Sequence, residues 1–228
     1  MSTKRKPSAA RVLRVVEILD DAYDETLLGN KSNPLDELVY VMLSGQTRED
    51  RYQNVFRDFK LRFPRWDMVA KAPRRSILKA IWHAGLADQK SRYIKAIVRR
   101  LTIDFGEVSL RALKNMGDAD AERYLLTLPG VGVKTARCVL MYSLDRAVFP
   151  ADIHCLRVMQ RLGWIESVDR SSQATADRAQ DCVPPPHRKR LHIRLVQHGR
   201  AICRPLPRCG PCSLRGICRW PASKAEAV

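Results

Sequence analysis

The run Leu128-Pro129-Gly130-Val131-Gly132-Val133-Lys134-Thr135-Ala136 joins a backbone phosphate clamp to an amine. Two glycines one residue apart, opening a helix, let amide N–H groups turn outward toward an anion. Lys134 sits about one turn into that helix, close to whatever Gly130, Val131, Gly132 and Thr135 hold. Asp152 follows eighteen residues later, after Phe149-Pro150-Ala151. A lysine at its ordinary pKa of about 10.4 is charged at neutral pH and cannot attack carbon. Desolvation or nearby positive potential, including that of a helix N-terminus, frees the amine. A carboxylate beside it can take its proton, orient it, or stabilise positive charge growing on a sugar ring. Phosphate grip, amine and carboxylate together point to chemistry on the sugar of a nucleic acid. Singly, each is duller. Lys134 reads equally as one more charge on a phosphate-binding turn, and Asp152 reads first as the N-cap of the helical run Ile153 to Leu162.

The charge balance supports a polyanionic partner. Lys and Arg number 41 against 24 Asp and Glu in 228 residues, a formal charge of +17, and the cations recur along the whole chain, as in Arg74-Arg75, Arg99-Arg100 and Arg188-Lys189-Arg190. The basic N-terminal stretch with Lys4-Arg5-Lys6 accounts for little of this excess. It is free of acid until Glu17 and reads as a disordered basic arm, with a cut-off transit peptide as the alternative. No apolar run approaches the ~18 residues of a membrane span, so the expectation is an intracellular protein with no membrane partner.

Seven cysteines, an odd number, do not form a secreted disulfide framework. Cys203, Cys209, Cys212 and Cys218 fall within sixteen residues as C-x5-C-x2-C-x5-C. Four thiolates in so short a segment suit a structural zinc or a [4Fe-4S] cluster; the spacing alone does not decide between them, and zinc is the default because short paired-cysteine sites so often hold it. Cys138, Cys155 and Cys182 read as small core residues.

The elements that must position these groups are helices. Apolar residues recur at helical spacing at Val12, Val15, Val16 and Leu19, at Leu35, Leu38, Val39 and Met42, and at Tyr52, Val55, Phe56 and Phe59. The pattern continues through Ile77, Leu78, Ile81 and Trp82, then Ile94, Ile97, Val98 and Leu101, with turn signals at Pro64, Pro73, Gly85 and Gly106. Strand-like alternation is nearly absent, which predicts an all-α chain of short helices. Asn33-Pro34 supplies a capping residue and a first-turn proline for one of them, and Pro184-Pro185-Pro186 breaks the chain before the last.

Leu128 to Ala136, taken with Phe149-Pro150-Ala151-Asp152-Ile153-His154, resembles the helix-hairpin-helix and Gly/Pro-Asp segment of the endonuclease III family of DNA glycosylases. The resemblance runs from about Pro34 to Trp220. It implies two helical domains flanking a DNA-binding cleft: residues 27–147, a helical barrel with the hairpin, and residues 1–26 plus 148–228, the cluster domain. It also implies a monomer acting on lesion-containing double-stranded DNA, where a bound enzyme in bacteria would lie in the cytoplasm and nucleoid. The activity implied is a bifunctional glycosylase/AP lyase that removes damaged, chiefly oxidised, or mismatched pyrimidines. In that family the lysine matching Lys134 attacks the sugar C1′ of a flipped nucleotide and forms a Schiff base that β-eliminates the 3′ phosphate. The aspartate matching Asp152 assists it.

Flipping a base costs a few kcal/mol, and the hole must be filled. The resemblance assigns this to Gln46 in Leu43-Ser44-Gly45-Gln46-Thr47, which enters the vacated stack, and to Leu86 after Gly85, which wedges the opposite strand. It also moves the cysteine reading to a [4Fe-4S] cluster, with Leu195 to Arg200 matching the helix before it. Arg204 and Arg208 then face DNA phosphates from the loop between the first two cysteines. That loop is one residue shorter than the family's pattern, which makes Cys203 the least secure ligand. The segment Ser109 to Thr127, about ten residues longer than in the compact bacterial form, looks more like plant 5-methylcytosine glycosylases and their bacterial relatives, as does Arg161-Leu162-Gly163-Trp164. Alternatives at this stage are a monofunctional glycosylase and a non-catalytic DNA-binding or redox-sensing relative.

Overall fold

The computed structural model describes residues 6–24, 28–166 and 172–220, and every regular element among them is helical. Lys4 and Arg5 of the basic N-terminal stretch lie outside the described residues. By internal contacts the chain divides into two compact units: Gly29–Arg146, and a discontinuous unit of Met1–Leu28 with Ala147–Val228. The first helix, α1 (Ala9–Ala22), belongs to the discontinuous unit. The unit Gly29–Arg146 then holds α2 (Pro34–Ser44), α3 (Glu49–Arg62), α4 (Trp66–Lys71), α5 (Arg74–Ala80), α6 (Ala87–Phe105), α7 (Asp118–Leu126) and α8 (Val133–Ser143). The chain returns to the unit of α1 with α9 (Ile153–Arg161), α10 (Gln173–Asp181) and α11 (Arg188–Ala201).

The centre of the unit Gly29–Arg146 is α2. Asn33 caps it, its side-chain oxygen accepting from Leu35 N at 2.9 Å and Asp36 N at 3.1 Å, and Pro34 occupies the first turn where its missing N–H has no cost. From Leu38 to Leu43 every residue is 7% exposed or less. A helix apolar on nearly all faces must be interior, and α3, α6 and α8 pack around it. Tyr40 meets Tyr52 and Phe56 of α3 edge to face, with ring centroids 5.2 and 5.4 Å apart. Asp36 accepts from Lys60 Nζ at 3.0 Å and Trp66 Nε1 at 2.8 Å, which ties α4 to the start of α2.

The apolar stripe predicted through Trp82 ends sooner than expected. The backbone N–H of Ile81 is shared by the carbonyls of Ile77 and Leu78, a tightening that closes α5 at Ala80, and Ala84 N then donates to Ile81 O in a turn. Ile81 stays fully buried. Trp82 is turned out and is 65% exposed.

In the discontinuous unit, α1 buries Val12, Val15, Val16 and Leu19 in a cluster shared with Phe149, Leu156, Leu191 and Leu195. Its partner α11 carries polar residues inward, and each is met. Arg194 donates to Asp20 Oδ1 at 2.6 Å and to Asp24 O at 2.7 Å, while Arg190 reaches Asp20 Oδ2 at 2.6 Å. Helices α9 and α11 approach closely at Gly199, where a Cβ would stand 2.7 Å from His154 Cβ; glycine inside a helix costs about 1 kcal/mol against alanine, and here it permits the contact. Before α9, Phe149 N donates to Gln180 Oε1 at 2.8 Å, fixing the Phe149-Pro150 segment to α10.

Leu19 is wholly buried in this cluster. Leu19→Ala is expected to lower the stability of the protein by about 3 kcal/mol through lost transfer energy and an unfilled cavity, read as a shift of the urea unfolding midpoint at unchanged slope.

Candidate active site and nucleic-acid interface

Between α7 and α8 the chain makes a tight hairpin. Val131 N donates to Leu128 O at 3.2 Å, Pro129 takes the second position of the turn, and Gly130 takes the third with φ +74°. Proline followed by a left-handed glycine is the signature of a type II turn. A Cβ on Gly130 would also lie 2.3 Å from Tyr93 Cδ2. Gly132 is different. It is the N-cap of α8 in extended conformation, no side chain caps that helix end, and a Cβ there would meet open space. The demand for glycine at Gly132 therefore does not come from packing within the fold; it leaves the backbone open to approach from outside. With Val131 buried as the anchor of the turn, the first amides of α8 point at that opening, the arrangement that receives an anion.

Lys134 is the second residue of α8 and half-buried. That is within the first turn of the helix, nearer the opening than the sequence places it. Thr135 follows, also half-buried. On the same unit Arg74, Arg92, Lys95, Arg99 and Arg100 line a cavity of 550 Å³ that reaches Thr127 and Pro129 of the hairpin. Asp88 pairs with Arg74 at 2.5 Å and Arg92 at 2.6 Å, and Asp104 pairs with Arg100 at 2.7 Å, so two carboxylates face five cations. The field around the hairpin is positive.

The two candidate hole-filling loops belong to this unit and are built against each other. Gln46 and Leu86 both adopt left-handed backbone, with φ +51° and +57°, a conformation that costs a non-glycine residue about 1 kcal/mol. Gly85 makes the juxtaposition feasible, since a Cβ there would lie 2.0 Å from Gln46 O. Gly85 N donates to Thr47 Oγ1 at 3.0 Å. From α6, the buried Lys90 donates to Leu43 O at 3.0 Å, Gly45 O at 2.5 Å and Thr47 Oγ1 at 3.2 Å. Burial pulls the pKa of Lys90 down to about 8, while the three oxygens accept from its ammonium. Gln46 is exposed and Leu86 is 50% exposed. A strained backbone that presents a polar amide and an apolar side chain to solvent is the arrangement a wedge requires. Trp82, four residues before Leu86, adds a second exposed apolar side chain that helical periodicity had assigned to the core. Lys90 had no signal in the sequence beyond its place in a basic helix.

Asp152 lies in the discontinuous unit. Its Oδ1 accepts from His154 N at 2.9 Å and Cys155 N at 2.8 Å, making it the N-cap of α9. The capping reading is thus correct as geometry, and the half-buried carboxylate is held in one orientation by it. His154, next in the turn but one, is buried enough to keep its pKa below the usual histidine value, helped by the charges of Arg157 and Arg200.

Cys203, Cys209, Cys212 and Cys218 line one cavity of 210 Å³ with Leu162, His198 and Trp220. Arg161 organises its wall. One guanidinium nitrogen donates to Cys203 Sγ at 3.2 Å and Arg204 O at 2.7 Å, the other to Pro205 O at 2.8 Å, and the group stacks 4.8 Å from the centre of the Trp220 ring. Arg157 Nε donates to Cys203 O at 2.7 Å. Cys203 is 8% exposed, and the shortened loop closes by Arg204 N and Arg208 N both donating to Ile202 O, at 2.9 and 3.0 Å. This leaves Arg204, Leu206 and Arg208 exposed. His198 bridges Tyr23 O–H, 2.9 Å from its Nδ1, and Cys212 Sγ, 3.5 Å from its Nε2. Burial and the neighbouring thiols push the thiols of Cys212 and Cys218 up and the Tyr23 hydroxyl up to about 12.

The donor set fits an iron–sulfur group: four thiols around one cavity, with a guanidinium and an imidazole to donate hydrogen bonds to sulfur. A single zinc held by the same four sulfurs at ~2.3 Å is the alternative occupant.

Comparison with known proteins follows the same lines. Residues 39–185 match the family model described as HhH-GPD superfamily base excision DNA repair protein. The chain is 34% identical over 188 residues to a putative DNA glycosylase of Arabidopsis thaliana, covering 82% of this chain and 61% of that protein. It is 31% identical over 196 residues to endonuclease III of Synechocystis, covering 85% of this chain and 83% of that one. Among solved structures, an endonuclease III in a non-covalent complex with DNA superposes with a TM-score of 0.80 at 22% identity, covering 96% of this chain and 98% of the other; at that identity the likeness is one of fold. No helix among the described residues is long and apolar enough to cross a membrane. With a hairpin whose glycines open onto an uncapped helix, a lysine in the first turn and an aspartate capping the helix that follows, the chain belongs to the HhH-GPD superfamily of base excision DNA repair proteins.

Proposed function

We propose that the chain is a bifunctional DNA glycosylase and AP lyase acting on damaged or mismatched pyrimidines in duplex DNA. The observation that carries this reading is the place of Lys134, in the first turn of a helix that no side chain caps, beside a glycine that packs against nothing. A phosphate seated on the first amides of α8 would hold the flanking backbone, and the amine beside it would reach the sugar. In the proposed reaction neutral Lys134 Nζ attacks C1′ and the base leaves with the electron pair of its glycosidic bond; Nζ then loses a proton, the C1′–O4′ bond opens with its electrons and a proton going to O4′, and the Schiff base so formed loses its C2′ proton and then the 3′ phosphate. The Asp152 carboxylate, oriented by its cap bonds, would stabilise the positive charge that develops on the sugar. Gln46 and Leu86, on strained backbone at adjoining loops, would fill the stack the nucleotide leaves.

The four cysteines would hold a [4Fe-4S] cluster, with Arg161 and His198 donating to their sulfurs. When bound, that group supplies a covalent cross-link for a segment that has no regular secondary structure of its own, and no catalytic step is assigned to it. Arg204 and Arg208, exposed on the loop Arg204 to Arg208, would then contact DNA phosphates.

Borohydride reduction during incubation with abasic or thymine-glycol duplex is expected to trap a covalent protein–DNA adduct, lost in Lys134→Ala. Base release without strand cleavage or adduct would show a monofunctional enzyme, and binding without base release a non-catalytic relative. Gly132→Ala is expected to cost less than about 1 kcal/mol in thermal stability, because the site for its methyl is open, yet to weaken duplex binding roughly tenfold, or 1.4 kcal/mol; unchanged affinity would remove the hairpin from the DNA interface. For the metal, a brown preparation with iron and sulfide near four atoms each per chain is expected, and a colourless zinc-containing one would overturn the cluster.

A further inference from the structure

Two loops 38 residues apart in the chain meet at one hydroxyl. Thr47 Oγ1 donates to Gly45 O at 3.2 Å, and it accepts from Gly85 N at 3.0 Å and from Lys90 Nζ at 3.2 Å. A hydroxyl has one proton and two lone pairs, so its whole capacity is used: on the loop after α2, on the turn between α5 and α6, and on α6 itself. Lys90 is saturated in the same way. Its ammonium has three protons, and Leu43 O, Gly45 O and Thr47 Oγ1 take one each. The main chain of Lys90 serves the other loop, its N–H donating to Leu86 O at 2.9 Å as the first hydrogen bond of α6. One residue is thus bound through its side chain to the loop of Gln46 and through its backbone to Leu86.

Ending α2 does not by itself call for this arrangement. Gly45 is exposed, and water can satisfy a helix-end carbonyl there. The chain instead brings in an ammonium that is 6% exposed, at the cost of taking it out of water. What the network holds is strain. Gln46 and Leu86 both sit in left-handed backbone, which side chains of their kind avoid. Thr47 N closes the turn over Gln46 by donating to Ser44 O at 3.2 Å, and the Gln46 carbonyl lies where a Cβ of residue 85 would be. Neither loop can relax to ordinary backbone without breaking bonds that fix the other, and the side chains so fixed are the exposed Gln46 and the half-exposed Leu86.

We infer that Thr47 and Lys90 are positioning residues that clasp Gln46 and Leu86 into a single wedge, and that this clasp acts on extrusion of the nucleotide and not on bond chemistry at the sugar. This rests on the lyase reading above. Opening a base stack is uphill, and side chains that enter it offset that cost best when they are ordered beforehand, since ordering them on insertion subtracts from what the contacts return. Removing the Thr47 hydroxyl leaves Gly85 N–H and one proton of Lys90 without their acceptor, which frees the two loops from each other while leaving the hairpin and Lys134 as they are.

The test compares single-turnover borohydride trapping on two substrates that differ in whether a stack must be opened: a duplex with an abasic site opposite guanine, and the same site centred in an unpaired bubble. Thr47→Val, which keeps the shape and removes the hydroxyl, is expected to slow trapping on the duplex roughly tenfold and to leave the bubble rate within about twofold of wild type. Thr47→Ser, which restores the hydroxyl, is expected to match wild type on both. Lys90→Met is expected to show the same selective loss, roughly 100-fold on the duplex; should it fail to fold, Thr47→Val decides alone. A purely structural role would slow both substrates alike through a smaller folded fraction. Equal slowing on both by Thr47→Val, or wild-type rates on both, would overturn the inference and leave the lyase reading intact; no adduct with wild type on either substrate would overturn the lyase reading itself and this inference with it.

Discussion

The helix α2 is apolar over most of its length, so the carbonyls at its C-terminal end and the buried one of its two carboxylates, Glu37, must be satisfied from elsewhere in the unit. Lys90 does this at the C-terminal end. A single ammonium, inserted from α6, takes two of the last carbonyls and the Thr47 hydroxyl, and thereby sets the path of the loop that carries Gln46. An ammonium in a dry site is costly unless oxygen surrounds it, which makes the loop geometry and the burial of Lys90 one and the same requirement. At the other end, the Asn30-Lys31 segment folds back to hold Glu37. The residues with chemical potential in this unit are therefore placed by the need to end and to neutralise a helix that is itself only packing.

The discontinuous unit solves a different problem. Its helix α11 is polar in sequence yet buried, and the chain meets this residue by residue: Arg194 with Asp20, His192 beside Cys155 at 3.5 Å, His198 between Tyr23 and Cys212. Tyr23 closes α1, so the first helix of the chain reaches the wall of the cysteine cavity through one imidazole. The segment Arg204 to Trp220 has no helix or strand to hold it. What order it has comes from Arg161 and Arg157 of α9, which donate to backbone carbonyls of the cysteine loop as well as to sulfur.

Much of the secondary structure was legible because it rests on local rules. The Asn33-Pro34 cap, the apolar spacing of α1, α2, α3 and α6, the hairpin glycines and the break before α11 all follow from patterns a few residues long, and the helices stand where those patterns put them. Trp82 was misread because periodicity continues through it while the helix does not: the stop at Ala80 is made by a shared hydrogen bond, which leaves no mark on composition. Of the candidate site, the clustering of cysteines and the run around Lys134 could be seen directly, and Asp152 could be seen as a cap. The burial of Lys90, and of Glu37 outside the site, could not. Each is a common charged residue on a helix, and only the packing of α2 against α6 and α8 turns them from solvated charges into buried ones. The left-handed backbone at Gln46 and Leu86 was equally hidden, since neither residue type favours it.

The contact between Gly85 and Gln46 has a bearing on how such proteins diversify. With no room for a single carbon between residue 85 and the carbonyl of Gln46, and with Thr47 bonded to both Gly85 and Lys90, the two surface loops form one mould. Lengthening or reshaping one would displace the other. A chimaera that borrows one loop from a relative would inherit a mismatch, whereas exchanging the pair together with Lys90 would carry the mould intact; along this stretch the heritable unit is the pair of loops, and its evolution is constrained to proceed in step across some forty residues of intervening chain.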